Sequence, residues 1–392
     1  MYQIKTYNVI SEAGLNELEP DLFSINQSEN PDAIILRSEN LLKTEFNVNL
    51  KAIVRAGAGY NNIPLTQANK KGIAVFNTPG GNANAVKELV FIMMGLCSRE
   101  VYQALQFAQS NIGADVSLRT EAKKNSFRGT ELKGKTLGVI GLGHVGSIVA
   151  NLGLAYGMKV IGYDPYIHAN AAWEIDRNVK RFEDLNSLLK NCDYLTIHIP
   201  YTKNNHHFIG AKELQLMKKT SVVLNFSRTD VVDDQAIIEA LNHHALRHYI
   251  TDFATAGLAG RTDVIITPHL GGSTREAEHA AARMAVSQLK EYLLNGNIIN
   301  SVNLPMINEP FSTNYRITVV HNNIPNMLGQ ISTIFGNFKI NIDRLSNRSK
   351  DNLAYTIAEI DEFPLEKIND FLTAMKNVPD IIRIRFLKNS SN

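Results

Sequence analysis

Cysteine is scarce in this chain of 392 residues, which contains only two, Cys97 and Cys192. Both lie among apolar residues, far apart in the sequence, and no Cys-x-x-Cys motif occurs. The sequence therefore excludes a disulfide framework and predicts two buried, reduced thiols in a cytoplasmic protein. We also expect no metal site, because no cysteine cluster with ligand spacing is present.

Long apolar runs and a strong net charge are also missing. The most apolar stretch, Leu89–Cys97, is much shorter than the about 20 residues of a membrane-spanning helix, so it predicts a buried helix. The N-terminus lacks the apolar segment of a signal peptide. The chain has 40 basic and 38 acidic residues, and basic runs such as Lys123–Lys124 stop at two. These features argue against membrane association and against nucleic-acid binding.

The sequence does contain a strand-turn-helix pattern at Thr136–Ser147. Its glycines, Gly141, Gly143 and Gly146, follow an apolar strand with G-x-G-x-x-G spacing. In such a loop the first glycine allows a tight turn, the second lets a pyrophosphate lie against the backbone, and the third lets the helix pack on the strand. A helix from Val145 onward directs free N–H groups at the phosphates. The pattern predicts a dinucleotide-binding site.

The second strand of this unit, Met158–Asp164, ends in a carboxylate 18 residues after Gly146. An acid at this position accepts hydrogen bonds from the ribose hydroxyls of the dinucleotide. The same acid repels the 2′-phosphate of NADP, and Pro165 and Tyr166 supply no cation to bind that phosphate. The sequence therefore predicts NAD as the cofactor.

Strands alternate with helices through most of the chain, which predicts α/β architecture with parallel sheets. The strands predicted before residue 100 are Gln3–Val9, Asp32–Leu36, Lys51–Arg55 and Ile73–Asn77. One long connecting helix is predicted from Asn82 to about Gln109. Polar residues follow the later strands, and we expect them to converge on the cofactor, because ligands bind at the carboxyl ends of parallel strands.

The C-terminal part of the chain has a different pattern. A long amphipathic helix, Ser273–Asn295, closes at Gly296, and Ile298–Val302 indicates a return strand. Leu304–Tyr315 contains two prolines and is typical of a linker. From Arg316 onward the order is strand, helix, two strands, helix, strand, which predicts a ferredoxin-like βαββαβ module.

Several motifs, taken in order over nearly the whole chain, resemble those of the D-isomer-specific 2-hydroxyacid dehydrogenases. Besides the glycine loop, these motifs are Arg55–Ile63, Phe76–Leu89, His198–Pro200, Asn225–Arg228 and Thr267–Thr274. Within that family the chain is similar to short-form D-3-phosphoglycerate dehydrogenases with a C-terminal ACT domain. The resemblance implies two Rossmann-like parallel-sheet domains, a substrate domain split around an inserted nucleotide domain with a cleft between them, followed by the ACT domain.

The resemblance also implies domain boundaries. Residues 1–100 and 276–303 are expected to form the substrate-binding domain, 101–275 the NAD-binding domain, 304–315 a linker, and 316–392 the ACT regulatory domain. Family members form dimers through the nucleotide domain, so we expect a homo-oligomer, either a dimer or a tetramer.

Oxidation of a 2-hydroxy acid needs a cation for the carboxylate and a base for the hydroxyl proton. Arg228 offers a planar two-pronged cation after a strand, and histidines such as His269 exchange protons near neutral pH. The resemblance implies that both are catalytic. It implies substrate contacts from Arg55, Ala58, Gly59 and Asn82. It implies cofactor contacts from Gly141, Gly143, His144, Val145, Gly146, Asp164, His198, Pro200, Phe226, Ser227, Asp252, Gly271 and Gly272. The nicotinamide carboxamide is expected to face Asp252.

Two of these assignments have alternatives. Arg55 matches an arginine that meets the substrate phosphate in relatives, but it also fits the cap of a strand end. In the ACT domain, the resemblance implies that His321, Asn323 and Asn341 bind L-serine between two modules, whereas the alternative is a module that only dimerises. Asn326 departs from the family pattern, in which glycine is common.

The catalytic site departs from the family pattern as well. In the family, a glutamate that hydrogen-bonds the catalytic histidine lies four or five residues after the aspartate, and Ala256 and Gly257 occupy those positions here. Thr229 replaces a glycine that commonly follows the arginine. Loss of the carboxylate leaves the histidine less restrained, unless Glu276 or Glu278 takes its place.

The expected function is NAD-dependent oxidation of D-3-phosphoglycerate to 3-phosphohydroxypyruvate, the first step of L-serine synthesis. One alternative is a reductase of another small 2-keto acid, such as glyoxylate or hydroxypyruvate. The other is an NAD(H)-binding regulatory module that catalyses weakly because the glutamate is absent. Arg55 and the ACT domain favour the first function.

Overall fold

The computed structural model describes residues 1–167 and 169–389, so Ser390–Asn392 of the expected ACT domain lie outside the described residues. The strands are β1 (Tyr2–Thr6), β2 (Phe23–Ile25), β3 (Ala33–Leu36), β4 (Ala52–Arg55), β5 (Ala74–Phe76), β6 (Thr136–Ile140), β7 (Lys159–Tyr163), β8 (Lys180–Arg181), β9 (Tyr194–Ile197), β10 (Val222–Asn225), β11 (His248–Thr251), β12 (Val264–Ile266), β13 (Tyr315–Asn322), β14 (Arg344–Lys350), β15 (Leu353–Ile360) and β16 (Ile381–Lys388). The α-helices are α1 (Glu12–Leu15), α2 (Leu65–Lys70), α3 (Ala83–Ser98), α4 (Val101–Ser110), α5 (Val116–Lys123), α6 (His144–Ala155), α7 (Ala169–Trp173), α8 (Leu185–Asn191), α9 (Ala211–Gln215), α10 (Asp234–Asn242), α11 (Arg275–Lys290), α12 (Met327–Asn337) and α13 (Ile368–Lys376). None of the helices in the described ranges is long and apolar enough to cross a membrane.

The chain divides into two compact units. Met1–Gly81 and the chain from Glu278 onward form the first unit, and Asn82–Ala277 forms the second. The first boundary therefore lies before α3, whereas the sequence predicts it near residue 100. Helix α3 belongs to the second unit because Phe91 and Met94 are buried in that unit's apolar core.

The first unit contains a parallel sheet of five strands in the order β2-β1-β3-β4-β5. Strands β1, β3, β4 and β5 lie close to the four predicted strands. The side chains of β3, β4 and β5 are mostly apolar and buried, whereas in β1 only Ile4 is buried. Strand β2 is not predicted from the sequence, because it has only three residues and one buried side chain, Phe23. The expected α/β class with parallel sheets is confirmed.

The predicted return strand Ile298–Val302 is replaced by single bridges, which pair Ser301 with Phe76 and Ile298 with Ile307. The side chain of Asn303 makes hydrogen bonds of the kind that a strand backbone would make. Asn303 accepts a hydrogen bond from the N–H of Val75 and donates one to the carbonyl of Ile73, both at 2.9 Å. The chain therefore joins the edge of the sheet at β5 without a continuous ladder.

The second unit contains seven parallel strands in the order β12-β11-β10-β9-β6-β7-β8. Strand β6 is the point of reversal, because the chain builds the sheet outward from β6 through β7 and β8 and then returns to its other side with β9. In open α/β sheets, ligands bind beyond the carboxyl ends of the strands at such a switch point. The loop that follows β6 is the predicted glycine loop.

The single helix predicted from Asn82 to Gln109 is two helices, α3 and α4. The break lies at Glu100, which has a left-handed backbone with φ of +49°. Its carboxylate pairs with Arg247 and lies 3.9 Å from Nε2 of His248. The ion pair joins residues that are far apart in the sequence. The periodicity of apolar residues along residues 82–109 therefore does not predict the break at Glu100.

The chain from β13 onward forms the predicted ferredoxin-like module, with an antiparallel sheet in the order β14-β15-β13-β16. Helices α12 and α13 pack on one face of this sheet. The other face belongs to the core of the first unit, where Tyr355 and Ile357 share an apolar cluster with Tyr292. Arg385 donates hydrogen bonds to the carbonyls of Tyr292 (2.8 Å) and Leu293 (2.6 Å).

The segment predicted as a linker is packed. Leu304 and Ile307 are buried in the core of the first unit. Before it, α11 continues as a π-helical turn, Glu291–Asn295, that ends at Gly296 with φ of +73°. The prolines of the segment indicate irregular backbone correctly. Leu304 and Ile307 are nevertheless inside because they pack with residues of the module's sheet such as Tyr355, whereas Met306 is exposed.

Candidate active site

The loop between β6 and α6 has a backbone that only glycine tolerates at two positions. Gly141 has φ of +83°, and a Cβ there would lie 2.6 Å from the carbonyl oxygen of His198. A Cβ on Gly146 would lie 1.8 Å from the carbonyl oxygen of Gly141. A Cβ on Gly143, the N-cap of α6, would meet no described protein atom within 4 Å. The open space lies at the helix N-terminus, where a pyrophosphate fits.

Asp164 follows β7, and its carboxylate lies beside this loop. It accepts hydrogen bonds from the backbone N–H groups of Leu142 (2.8 Å) and Tyr166 (2.9 Å). Each carboxylate oxygen keeps capacity for a further hydrogen bond, so the group is able to accept from ribose hydroxyls. In the first turn of α6, His144 is exposed and Val145 is half-buried.

His198 and Pro200 follow β9, on the other side of β6. His198 Nε2 lies 2.9 Å from the hydroxyl of Thr196. Burial lowers the pKa of His198 to about 3, so its imidazole is neutral at physiological pH. Pro200 is exposed. His198 and Pro200 therefore add no positive charge at this end of β9.

Strand β10 ends at Asn225, whose buried side chain braces the turn that carries Arg228. Asn225 Oδ1 accepts hydrogen bonds from the N–H (3.1 Å) and the hydroxyl (2.9 Å) of Ser227, and Nδ2 donates to the carbonyl of Arg228 (2.9 Å). Phe226 is buried, whereas Arg228 is exposed. The sequence predictions omit Asn225 as a residue that positions Arg228, although its place at a strand end was a usable signal.

Thr229, which departs from the family glycine, fits its position without strain. It begins a short 3-10 turn, Thr229–Val231, and its φ is not positive. The backbone freedom of glycine is therefore not needed here, and this departure leaves the Arg228 turn intact.

The loop that carries His269 is held by Asp252. His269 has a left-handed backbone, with φ of +58°, and its N–H donates to the carbonyls of Asp252 (3.1 Å) and Thr267 (3.0 Å). The Asp252 carboxylate accepts from the N–H groups of Leu270 and Gly271, both at 2.7 Å, and from the hydroxyl of Thr267 at 2.6 Å. This carboxylate is expected from the sequence to face the nicotinamide. Asp252 is 3% exposed, and these bonds tie its carboxylate to the loop.

Gly272 lies against Asn82, and Gly271 lies against Asp252. A Cβ on Gly272 would lie 2.6 Å from Nδ2 of Asn82, and a Cβ on Gly271 would lie 3.0 Å from a carboxylate oxygen of Asp252. Asn82 precedes α3 as its N-cap. It therefore belongs to the second unit, and the other three predicted substrate contacts belong to the first.

The ring of His269 is exposed and has no hydrogen-bond or ion-pair partner among residues 1–167 and 169–389. Its aromatic contact is with Phe253, at 5.3 Å between ring centroids and 78° between planes. Ala256 and Gly257, which replace the family glutamate, are both exposed. No carboxylate therefore orients this imidazole in the described residues.

In the first unit, Arg55 ends β4, and its Nε donates to the carbonyl of Arg37 at 2.7 Å. Arg37 directly follows β3, which pairs with β4, so two arginines lie at adjacent strand ends. Arg37 Nη1 also lies 2.7 Å from Oε1 of Glu278. Glu278 is therefore already paired and is no free substitute for the missing glutamate. Arg37 is absent from the sequence predictions, although it too follows a strand.

The glycine-rich loop after Arg55 is held at the end of β5. Asn77 Nδ2 donates to the carbonyl of Ala58 (2.6 Å), and the N–H of Thr78 donates to the carbonyl of Gly57 (3.1 Å). Ala58 and Gly59 are half-buried. The predicted substrate loop is thus fixed by side-chain and backbone bonds within the first unit.

Comparison with known proteins identifies the family. Residues 93–271 match the family model described as "D-isomer specific 2-hydroxyacid dehydrogenase, NAD binding domain". The D-3-phosphoglycerate dehydrogenase of Escherichia coli (strain K12) is 32% identical over 342 residues, which cover 84% of this chain and 79% of that enzyme. The chain belongs to the D-isomer-specific 2-hydroxyacid dehydrogenase family.

Two further proteins are similar to this dehydrogenase. The D-3-phosphoglycerate dehydrogenase of Methanocaldococcus jannaschii is 34% identical over 312 residues, which cover 76% of this chain but 57% of that enzyme. The D-lactate dehydrogenase of Aquifex aeolicus, solved with NAD and lactic acid, has a TM-score of 0.59 and 26% identity, and the match covers 76% of this chain and 98% of that one. The dehydrogenase thus spans little more than half the length of the M. jannaschii relative.

NAD is the cofactor of this dehydrogenase, because the matched family model is that of the NAD-binding domain. The residues present fit the group, because a Cβ at Gly141 would collide with His198, a Cβ at Gly146 would collide with Gly141, and Gly143 leaves open space. In the described part of the chain, no group of three or more His, Cys, Asp or Glu side chains is placed to hold a metal ion.

Asp164→Ala is expected to reduce the preference of the dehydrogenase for NADH over NADPH by about 10-fold or more, since one lost charge repulsion of about 1.4 kcal/mol changes a dissociation constant tenfold. Fluorescence titration with each reduced cofactor measures the ratio. Asp176→Ala, which removes another carboxylate of the same unit, is the control and should leave the ratio unchanged. An unmodified protein that binds NADPH as tightly as NADH would contradict the prediction.

In the C-terminal module, the three residues expected to bind serine differ in accessibility. His321 is buried, with Nδ1 2.8 Å from a backbone carbonyl oxygen and Nε2 3.0 Å from the hydroxyl of Thr356. Asn323 and Asn341 are exposed. Asn326 has φ of +66° at the N-cap of α12, a left-handed conformation that glycine and asparagine tolerate. This departure therefore keeps the backbone that a glycine would adopt.

Proposed function

We propose that this dehydrogenase oxidises D-3-phosphoglycerate to 3-phosphohydroxypyruvate with NAD, the first step of L-serine synthesis. The relatives named D-3-phosphoglycerate dehydrogenase support this substrate. The observation that carries the proposal is the pair of arginines, Arg37 and Arg55, at adjacent strand ends of the first unit. Guanidinium groups bind phosphate through paired hydrogen bonds, and this substrate carries a phosphate as well as a carboxylate.

The second unit supplies the groups for the reaction at carbon 2. Arg228 presents an exposed guanidinium, which suits the carboxylate and the oxygen of carbon 2. His269 takes the hydroxyl proton while the hydride leaves carbon 2, and it returns the proton in the reverse direction. NAD, when bound, provides the acceptor for that hydride. Asn225 and Asp252 hold the backbones of these two residues through hydrogen bonds.

Initial rates of the purified protein test this function with NAD and D-3-phosphoglycerate, D-glycerate or D-lactate. We expect kcat/KM for D-3-phosphoglycerate to exceed that for D-glycerate by about 10- to 100-fold, because hydrogen bonds to a charged group contribute about 1.5–3 kcal/mol. Arg55→Met should remove most of this difference and leave the D-glycerate rate unchanged. Equal kcat/KM values for the two substrates in the unmodified enzyme would overturn the proposed substrate.

The ion pair between Arg37 and Glu278 favours a second candidate, reduction of a small unphosphorylated 2-keto acid such as glyoxylate or hydroxypyruvate. Glu278 offsets one of the two positive charges that would bind a phosphate. Faster turnover of these acids than of 3-phosphohydroxypyruvate, measured with NADH, would favour this function. NADH binding without turnover of any acid would instead favour a weakly catalytic regulatory module, consistent with a His269 that lacks a carboxylate partner.

The proposal includes a homo-oligomer, a dimer or a tetramer. Helices α4 and α5 have no buried side chain, yet they expose Tyr102, Leu105 and Leu118. Amphipathic helices with an uncovered apolar face are typical of subunit contacts. Light scattering is expected to give at least a dimer, and Leu105→Glu with Leu118→Glu should shift the mass toward the monomer. An unmodified protein that is monomeric would contradict this assembly.

The proposal also places the enzyme in the cytoplasm. Cys97 and Cys192 are buried and free. Burial raises the pKa of each thiol to about 12, so both are unreactive. Free thiols of this kind are typical of reducing compartments, and imaging of the tagged full-length protein tests the location.

We further propose that the C-terminal module is an ACT domain that binds L-serine. Asn323 and Asn341 expose amide groups able to pair with the carboxylate and ammonium of an amino acid. His321 already has partners on both ring nitrogens, so we expect the two asparagines to contribute more. Calorimetry should give heat with millimolar L-serine, less heat for Asn323→Ala, and none with D-serine. No heat with the folded protein would support a module that only dimerises.

A further inference from the structure

We propose that Phe253 is the positioning residue that orients the imidazole of His269 for proton transfer. The proposal rests on the proposed catalytic role of His269. The two ring centroids lie 5.3 Å apart and the ring planes cross at 78°, which is an edge-to-face contact. Aromatic rings prefer this arrangement, so the contact restricts rotation of the imidazole about its Cβ–Cγ bond.

The backbones on both sides of this contact are held by one residue, Asp252. Its carbonyl accepts the N–H of His269 (3.1 Å), and its carboxylate accepts the next two N–H groups of the loop. Phe253 directly follows Asp252, and its N–H donates to the hydroxyl of Thr251 at 3.2 Å. Because both backbones are fixed, the imidazole of His269 moves by rotation about its side-chain bonds, and the contact with Phe253 limits that rotation.

No acid among the described residues hydrogen-bonds or ion-pairs with the ring of His269, and this includes Glu276, which is exposed on α11. The carboxylate of Asp252 accepts hydrogen bonds from the His269 loop, and the sequence from residue 253 to 262 contains no acid. The next acid, Asp263, forms a two-pronged ion pair with Arg261, both bonds at 2.8 Å. Asp234 on α10 lies beside Thr255, and burial raises the pKa of its carboxyl group. The ring of Phe253 is therefore the group in place to orient the imidazole.

A freely rotating imidazole is aligned with the substrate hydroxyl in fewer encounters, so its proton transfer slows while binding is unchanged. Phe253→Leu is expected to lower kcat about 10-fold or more, with KM for the hydroxy acid and NADH affinity within about 2-fold. Phe253→Tyr keeps the ring and should keep kcat within about 2-fold of the unmodified enzyme. Phe182→Leu, at another half-buried phenylalanine of the same unit, is the control and should leave kcat unchanged.

A second readout does not depend on turnover. In protein labelled with ¹³C-histidine, with the His269 signals assigned by His269→Gln, we expect ring signals whose relaxation is that of a rotationally restricted side chain in the unmodified protein and in Phe253→Tyr. Phe253→Leu should give the averaged ring signals of a freely rotating side chain. Unchanged signals together with an unchanged kcat, or a kcat loss equal to that of Phe182→Leu, would overturn the positioning role. If the unmodified protein shows no turnover, and averaged signals appear only in Phe253→Leu, the proposed function is overturned and the positioning role remains supported.

Discussion

Gly257→Glu is expected to raise kcat by about 10- to 100-fold, because it supplies a carboxylate that can hydrogen-bond His269. Loss of the carboxylate in a comparable histidine pair costs about 10⁴-fold in turnover, and the Phe253 contact is expected to recover part of that loss here. The backbone permits the change, since a Cβ at Gly257 meets only Cδ1 of Ile238, the flexible end of a side chain, at 2.8 Å. Steady-state rates of ketoacid reduction measure the gain.

The same variant should shift the pH profile of reduction upward, because a neighbouring carboxylate stabilises the protonated imidazole. Ala259→Glu is the matched control, since it adds the same charge to an exposed position of the same loop. It is expected to leave both kcat and the pH profile unchanged. If the unmodified enzyme turns over at an ordinary rate and Gly257→Glu moves neither limb of its profile, the missing carboxylate is not what limits this enzyme.

Arg316→Met is expected to lower the unfolding free energy of the first unit by about 3–5 kcal/mol, because it leaves a buried carboxylate without its partner. Arg316 and Glu359 are both fully buried and form an ion pair. Every N–H of this guanidinium has an acceptor, since the remaining ones bond to the carbonyls of Asn295, Glu309 and Pro310 and to the side chain of Asn297. Calorimetric unfolding with and without NADH, which stabilises the second unit, separates the two transitions.

The control for this prediction is the exposed ion pair between Arg344 and Glu309, whose charged atoms lie 3.7 Å apart. Arg344→Met is expected to cost at most about 1 kcal/mol, the usual range for a solvent-exposed pair. The double variant Arg316→Met, Glu359→Leu should be more stable than Arg316→Met alone, because it removes the unpaired charge. Equal losses for Arg316→Met and Arg344→Met would show that the buried pair does not hold the module in place.

The dinucleotide loop could be predicted from sequence because its requirements are local. Gly141 and Gly146 are separated by one turn and the start of a helix, and the atoms that exclude a Cβ at Gly146 belong to Gly141 itself. The parallel strands and the βαββαβ module follow from hydrophobic periodicity, which is also local. Asp164 was found by its distance along the chain from the glycines.

The supporting roles of Asp252 and Arg37 could be identified only from the folded structure. Asp252 holds the loop of His269 through hydrogen bonds to Thr267, Leu270 and Gly271, which are distant in the sequence, and these bonds close only when β11 and β12 align. Arg37 lies beside Arg55 because β3 pairs with β4 in a register that brings their ends together. A strand end in the sequence indicates polar residues near a ligand. It does not show which of these residues form their hydrogen bonds within the protein.

By itself, the sequence determined the α/β architecture, the glycine loop and the order of the motifs, because periodicity and spacing are properties of contiguous residues. Only the tertiary structure decided that α3 belongs to the second unit, that residues 304–315 are packed, and that Asp252 holds the loop of His269. Each of these depends on contacts between segments distant along the chain, such as the burial of Phe91 in the core of the second unit. Burial and hydrogen-bond partners are set when those segments meet, so no local pattern records them.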